Sequence, residues 1–308
     1  MSTPPIPLVV VGGYLGAGKT TLLNALLANA GGRRIAVLVN DFGAVNIDAA
    51  LIRQQSGDVI QLENGCICCS IGGRLAEALS AIAARDERPE LLVIEASGVS
   101  DPMRIAQVGL LDKSFRLNAV IVAVDAQSVH ESLQDRYVGD MVHRQIAAAT
   151  VLALTHADLA GPAATDRAAR TAAAIAPQAT LLHARMGRLP LAVFVDAGVL
   201  PRNRGVPPVP GSRPRGPDHG GITTFTYVTT KVFEKQQLRQ TLRELPVPLL
   251  RAKGIVRLAG HAQPHVLHVV GTRMVLSSYD GDCDGRSTLV FIGCFGPDAE
   301  DSIRALLE

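Results

Sequence analysis

Residues 9–24 read VVVGGYLGAGKTTLLN, and this stretch decides the fold. Three valines make a buried strand, and the pattern then breaks into glycine. From Gly13 the spacing is G-x-x-x-x-G-K-T, ending Gly18-Lys19-Thr20. After it Leu22, Leu23, Ala25, Leu26 and Leu27 recur with helical period. Strand, glycine loop and helix in that order give the spacing its meaning. Glycines at 13, 16 and 18 let the backbone curl, so that successive N–H groups face an anion at the positive end of the following helix. The residues assigned to hold phosphate are Gly13, Leu15, Gly16, Ala17, Gly18, Lys19, Thr20 and Thr21. Lys19 supplies a point charge to the β- and γ-phosphates, and the Thr20 hydroxyl is a ligand for Mg2+. The reading is a nucleoside-triphosphate site.

Working outward, Arg34 to Asn40 (RIAVLVN) is a second strand that ends in Asn40-Asp41-Phe42-Gly43. Ligands of open α/β sheets gather at such strand ends, which puts Asp41 near the nucleotide. Glu90 to Ala96 (ELLVIEA) is a third strand, apolar through its centre as buried parallel strands are. It ends in Glu95-Ala96-Ser97-Gly98, where Glu95 is the expected acidic partner of Mg2+ and Gly98 offers its N–H to the γ-phosphate. Ala119–Asp125, Val151–Thr155 and Thr180–His183 continue the series. Helices are expected near 73–84, from Pro102, over 140–149 and over 162–176. Alternation of this kind implies a parallel sheet covered on both faces. The fifth strand runs into Thr155-His156-Ala157-Asp158, at the place where guanine-specific proteins carry N-K-x-D. Asp158 fits the base-reading position, while Thr155 and His156 depart from the pattern.

Between the second and third strands lies Glu63-Asn64-Gly65-Cys66-Ile67-Cys68-Cys69. Thiolates are soft ligands that favour zinc, cobalt or copper(I), and a helix start just downstream lowers thiol pKa. Three thiolates in four residues do not all reach one ion easily. Two or three are therefore expected, with a carboxylate or water completing the set. Buried apolar cysteines and a redox pair are the competing readings.

From Pro201 to Gly221 six prolines and five glycines with no apolar period mark a linker. Beyond it, short strands at 222–229, 254–258, 266–270, 274–277 and 288–293, with helices at 235–245 and 298–307, indicate a small α+β domain with an antiparallel sheet. The organisation is thus a nucleotide domain over 1–200, a linker over 201–221 and a second domain over 222–308. His261, His265 and His268 cluster in that second domain. Pro264 and the alternating run place them on a turn and strand, where 265 and 268 face opposite ways.

The bulk numbers agree. At 308 residues with 47% hydrophobic and 19% charged residues, the chain has an ordinary globular composition, and a formal charge of +2 marks no nucleic-acid surface. No apolar run approaches the ~20 residues of a membrane helix, and the N-terminus leads straight into a strand instead of forming a signal peptide. Five cysteines, three of them clustered, fit a reducing, cytoplasmic compartment.

Taken together, GYLGAGKTTLLN (13–24), VNDFGAVNID (39–48), ENGCICC (63–69), EASGVSDP (95–102) and THADL (155–159) resemble the CobW-like family of P-loop GTPases, which the nickel-insertion and urease accessory GTPases also approach. RAKGIVRL (251–258) and TLVFIG (288–293) look like that family's C-terminal domain. The resemblance implies a GTPase that carries zinc or cobalt to a client metalloprotein or cofactor-biosynthesis enzyme, with GTP and Mg2+ bound. By position, Lys19, Thr20, Glu95 and Asp41 serve catalysis, and Gly98, Thr155 and Asp158 contact nucleotide. Cys66, Cys68 and Cys69 take the transition metal. Ala44 stands where the family usually has an acid, and the linker holds only His219, so bulk metal storage is not expected. Self-association is left open. Slow hydrolysis is expected, because no arginine finger or water-orienting glutamine stands out. Two other classes compete: a nucleotide-dependent assembly protein with a structural zinc site, and a small-molecule kinase.

Overall fold

The fold is described from a computed structural model. It covers residues 4–39, 59–61, 71–195, 223–247, 249–271, 273–279, 285–296 and 298–308. The chain divides into two compact units, Met1–Val195 and Asp196–Glu308.

In the first unit seven strands form one sheet: β1 (Ile6–Gly12), β2 (Ile35–Val39), β3 (Val59–Gln61), β4 (Leu91–Glu95), β5 (Phe115–Asp125), β6 (Val151–Thr155) and β7 (Thr180–His183). Their order is β3-β2-β4-β1-β5-β6-β7, and every pairing is parallel. Strands buried on both faces need unbroken apolar runs, and β2, β4 and β6 are buried at all five positions. On one face Leu8, Val10, Leu38, Ile94, Val122 and Leu154 share a core with Leu75 and Leu79 of α2 (Ile71–Ala83), Ile105 of α3 (Pro102–Gly109), Val142 and Ile146 of α5 (Gly139–Ala147), and Ala168 and Ala172 of α7 (Pro162–Ile175). The alternate residues Val9, Val11, Val37, Val93, Ile121 and Ala153 are equally buried on the other face. Each fully buried Val, Leu or Ile contributes about 1.5–3 kcal/mol relative to exposure.

Chain direction sets the site. From β1 the chain moves towards β2, and from β5 it moves the opposite way to β6, so a crevice opens at the carboxyl ends beside β1. That is where Gly13, Gly98 and Thr155 all lie, Gly13 immediately after β1, Gly98 in the turn that follows β4 and Thr155 as the last residue of β6.

The sequence reading of six strands missed β3, a three-residue strand paired in parallel with β2. It also began β5 four residues late. Arg116 and Asn118 interrupt the apolar run there, but Asn118 is buried, accepting from Arg116 at 3.0 Å and donating to the Phe194 carbonyl at 2.9 Å. Two short helices, α4 (Val129–Gln134) and α6 (Ala157–Ala160), were also missed. Both are too short for periodicity to register.

The second unit holds an antiparallel sheet of β8 (Thr223–Thr229), β9 (Leu249–Val256), β10 (His265–Val270), β11 (Arg273–Ser278) and β12 (Ser287–Gly293), in the order β11-β10-β9-β12-β8. Leu238 and Leu242 of α8 (Lys235–Arg243) and Ile303 and Leu307 of α9 (Ala299–Leu307) pack with Phe225, Tyr227, Leu267 and Phe291. Phe225 and Phe291 stack with centroids 4.9 Å apart. β9 starts earlier than the sequence suggested and ends at Val256. Arg251 and Lys253, which precede the strand expected from Gly254, are both buried in this central strand. The linker expected over 201–221 lies outside the described residues. Among the described residues no helix is long and apolar enough to cross a membrane.

Candidate functional site

The loop between β1 and α1 (Lys19–Ala28) is built by its glycines. Gly13 has φ of 128°, and a Cβ there would stand 2.5 Å from the Ala123 carbonyl of β5. Only a residue without a side chain fits that approach. Gly18, at φ 90°, caps α1 in the left-handed region. The Ala17 N–H bonds the Tyr14 carbonyl at 3.1 Å and closes the turn. Lys19 is the first residue of α1 and is buried, its Nζ donating to the same Tyr14 carbonyl at 3.2 Å. The ammonium thus lies folded back onto the loop at the positive end of α1. Leu15 stands exposed at the apex, and the Leu22, Leu23, Leu26 and Leu27 side chains anchor the helix in the core.

Next to the loop stands a hard-oxygen pair. The Thr20 hydroxyl lies 3.4 Å from Oε1 of Glu95, which ends β4 and is 2% exposed. A hydroxyl and a carboxylate so placed are the donor types that Mg2+ takes. Following Glu95, the chain makes a tight turn in which the Ser100 N–H bonds the Ser97 carbonyl at 2.9 Å. Gly98 sits in this turn hard against the phosphate loop. A Cβ on it would lie 2.9 Å from the Leu15 nitrogen and 2.6 Å from Leu15 Cδ2. Asp101 then caps α3, accepting from the Met103 N–H at 2.9 Å and from Arg104 at 3.4 Å.

The β6 end closes the third side. Thr155 is buried, and its hydroxyl reaches the Ala17 carbonyl of the phosphate loop at 2.9 Å and the Val124 carbonyl at 3.1 Å. His156 takes a left-handed conformation, φ 52°, with Nδ1 3.0 Å from Asp125 Oδ1. Asp125 also accepts from the Gln127 N–H and the Ser128 hydroxyl, so it orders both the ring and the start of α4. Asp158 is exposed in the first turn of α6.

The structure therefore brings Gly13, Leu15, Gly16, Ala17, Gly18, Lys19, Thr20, Thr21, Glu95, Gly98 and Thr155 to one crevice. Asp41, Cys66, Cys68 and Cys69 lie outside the described residues. His261 and His265 meet edge to face with ring centroids 4.7 Å apart, and His265 Nδ1 lies 3.1 Å from the Gln263 carbonyl. His268 occupies a strand position of the opposite parity, so the three histidines do not converge. Among the described residues no three His, Cys, Asp or Glu side chains are grouped as a metal would need.

Two features escaped the sequence reading. Gln145 of α5 reaches the turn after β4, donating to the Gly98 carbonyl at 3.1 Å and to the Ser100 carbonyl at 2.8 Å. Its signal was a polar residue at a core-facing helical position between Val142 and Ile146. The turn after β7 is the other. A Cβ on Gly187 would stand 2.5 Å from the Thr21 carbonyl, so Gly187 packs against the start of α1.

Comparison with known proteins followed the same division. Residues 7–183 match the model of the CobW/HypB/UreG nucleotide-binding domain, and residues 222–308 match that of the cobalamin synthesis protein CobW C-terminal domain. The zinc chaperone YjiA of Escherichia coli (strain K12) is 32% identical over 323 residues, covering 98% of this chain and 97% of that protein. The zinc chaperone CobW of Pseudomonas aeruginosa is 29% identical over 309 residues, covering 87% of this chain and 81% of the relative. Among solved structures, zinc(II)-bound YjiA GTPase from E. coli aligns over 99% of this chain and 98% of that one, at 23% identity and a TM-score of 0.47. With a phosphate loop, an acidic strand end and two successive domains all matching, the chain belongs to the CobW/HypB/UreG family.

Proposed function

We propose that this protein is a GTP-binding and GTP-hydrolysing metallochaperone. It binds a divalent transition metal, zinc or cobalt, at the Cys66-Cys68-Cys69 loop and gives it to a client under nucleotide control. The observation that carries the nucleotide half is the Thr20–Glu95 pair, 3.4 Å apart, beside the Lys19 ammonium and against the Gly98 turn. The metal half is supported by the C-x-C-C spacing and by relatives that are themselves zinc chaperones.

The residues present fit the chemistry. Thr20 and Glu95 are the groups that would hold Mg2+, which when bound neutralises charge on the phosphoryl oxygens. Lys19 leaves the Tyr14 carbonyl for the β- and γ-phosphates, exchanging a neutral acceptor for an anionic one. Gly98 donates its N–H to the γ-phosphate, and Asp41, two residues after β2 in sequence, responds to the same group. Asp158 accepts from the guanine edge. Thr155 binds loop backbone through its hydroxyl, in the place where N-K-x-D carries an amide. The Cys loop lies in sequence between the two γ-phosphate-responsive turns, which is how hydrolysis would change its grip on metal. A ~100-fold difference in metal affinity between states needs only about 2.7 kcal/mol of coupling.

The deciding experiment is a cobalt titration of the reduced protein with GTP analogue, with GDP and without nucleotide, read by thiolate-to-cobalt absorption. The affinity is expected to differ between the two nucleotide states. Equal affinity in all three conditions refutes nucleotide control, and no thiolate absorption at all refutes the metal site.

A further inference from the structure

We propose that Gln145 is a positioning residue for γ-phosphate recognition. It holds the Ser97–Ser100 turn in the shape that presents Gly98 to that phosphate, and it carries the state of the turn to helix α5. The inference rests on the reading that Gly98 senses the γ-phosphate.

Gln145 is 2% exposed, on the helix face that Val142 and Ile146 bury in the core. An apolar side chain is what packing alone would place there. Its Nε2 instead spends both N–H groups on main-chain carbonyls of one turn, at 3.1 and 2.8 Å. Two carbonyl partners also fix the amide orientation, since the Oε1 atom would repel them. The turn is thereby held from every side. β4 feeds it through the Ala96 N–H bond to Val11, Asp101 caps the helix that leaves it, and Leu15 of the phosphate loop stands against Gly98. Gln145, 47 residues from Gly98 in sequence, brings a further helix, α5, to this cage.

The same glutamine lines a cavity of about 20 Å³ together with Tyr14, Leu15 and Ala17 of the phosphate loop and Asp125 at the end of β5. Any shift of Gly98 towards a bound γ-phosphate lengthens or redirects the 3.1 Å bond whose donor belongs to α5. With its amide committed to these carbonyls, Gln145 acts through the turn and not on an attacking water.

The test compares affinities of the whole protein for a fluorescent non-hydrolysable GTP analogue and for fluorescent GDP. Wild type is expected to distinguish the two. Gln145→Leu keeps the volume and the apolar packing but removes both donors. It is expected to weaken analogue binding about ten-fold, equivalent to about 1.4 kcal/mol, with GDP binding changed less than about two-fold. Gln145→Glu, which sets a carboxylate against two carbonyls, is expected to lose at least as much. Equal losses for both nucleotides would assign Gln145 a purely structural role and overturn the proposal. A wild type that binds both equally would overturn the Gly98 reading and this proposal together, whereas discrimination preserved in Gln145→Leu would overturn this proposal alone. Hydrogen exchange on wild type needs no variant. The analogue, relative to GDP, should change protection both at 97–100 and in residues 139–147, and a change confined to the turn would refute the link.

Discussion

Replacing Thr155 by valine tests whether the end of β6 braces the phosphate loop. The two side chains have nearly the same outline, so the change removes a hydroxyl without opening a cavity. In the folded protein that hydroxyl is buried and reaches the Ala17 carbonyl at 2.9 Å and the Val124 carbonyl at 3.1 Å. A net hydrogen bond contributes about 1 kcal/mol, and a buried acceptor left without a partner costs about 1–3 kcal/mol. Ala17 is itself buried, 3% exposed, so water reaches its carbonyl poorly. Thr155→Val should therefore cost about 1–2 kcal/mol of stability, or roughly 2–8 °C in Tm for a unit of this size. The loosened loop should also bind GDP about 3–10-fold more weakly, about 0.7–1.4 kcal/mol. Thr155→Ser is the control, keeping the hydroxyl and losing the methyl that a Gly18 Cβ would meet at 3.4 Å. It should destabilise by about 1 kcal/mol while leaving GDP affinity near wild type. Equilibrium denaturation and fluorescent-nucleotide titration measure both. A valine variant as stable and as avid as wild type, or a serine variant that binds GDP more weakly than valine does, refutes the reasoning.

Three further outcomes are expected. Gly98→Ala puts a methyl within 2.9 Å of the Leu15 nitrogen. It should cost about 1–3 kcal/mol by overpacking, and it should weaken GTP-analogue binding more than GDP binding in the same titration. Lys19→Ala removes the one side-chain cation folded under the loop among the described residues, and should reduce affinity for both nucleotides at least about 100-fold by calorimetry. Burial pushes the Cys294 thiol above its ordinary value, so less thiolate is present at neutral pH than for an exposed cysteine. Alkylation followed by mass spectrometry should modify Cys294 more slowly at pH 7 than an exposed cysteine and accelerate as pH rises, and labelling at pH 7 as fast as that of an exposed cysteine would contradict this.

Much of the fold could be read locally. A strand that is buried on both faces must be apolar throughout, and β2, β4 and β6 announce themselves in this way. Elements carrying polar residues in their runs did not: the half-buried Arg116 and buried Asn118 in β5 and the buried Arg251 and Lys253 in β9 imitate loop text until tertiary contacts draw them away from water. The glycine loop was equally legible, because Gly13 and Gly18 answer to backbone sterics within a few residues.

What the sequence determined by itself was therefore whatever depends on near neighbours: strand and helix periods, the curl of the phosphate loop, the charge at its helix start and the division into an alternating β/α region and an antiparallel one. Tertiary structure alone decided which hydrogen bonds join distant groups at the crevice. The Thr155 bond to Ala17 spans 138 residues and the Gln145 bond to Gly98 spans 47. Strand order in the sheet sets both, and hydrophobic period carries no record of strand order. A hydrogen bond acts only within about 3 Å, so residue types reveal the capacity to form one, and only the fold selects its partner.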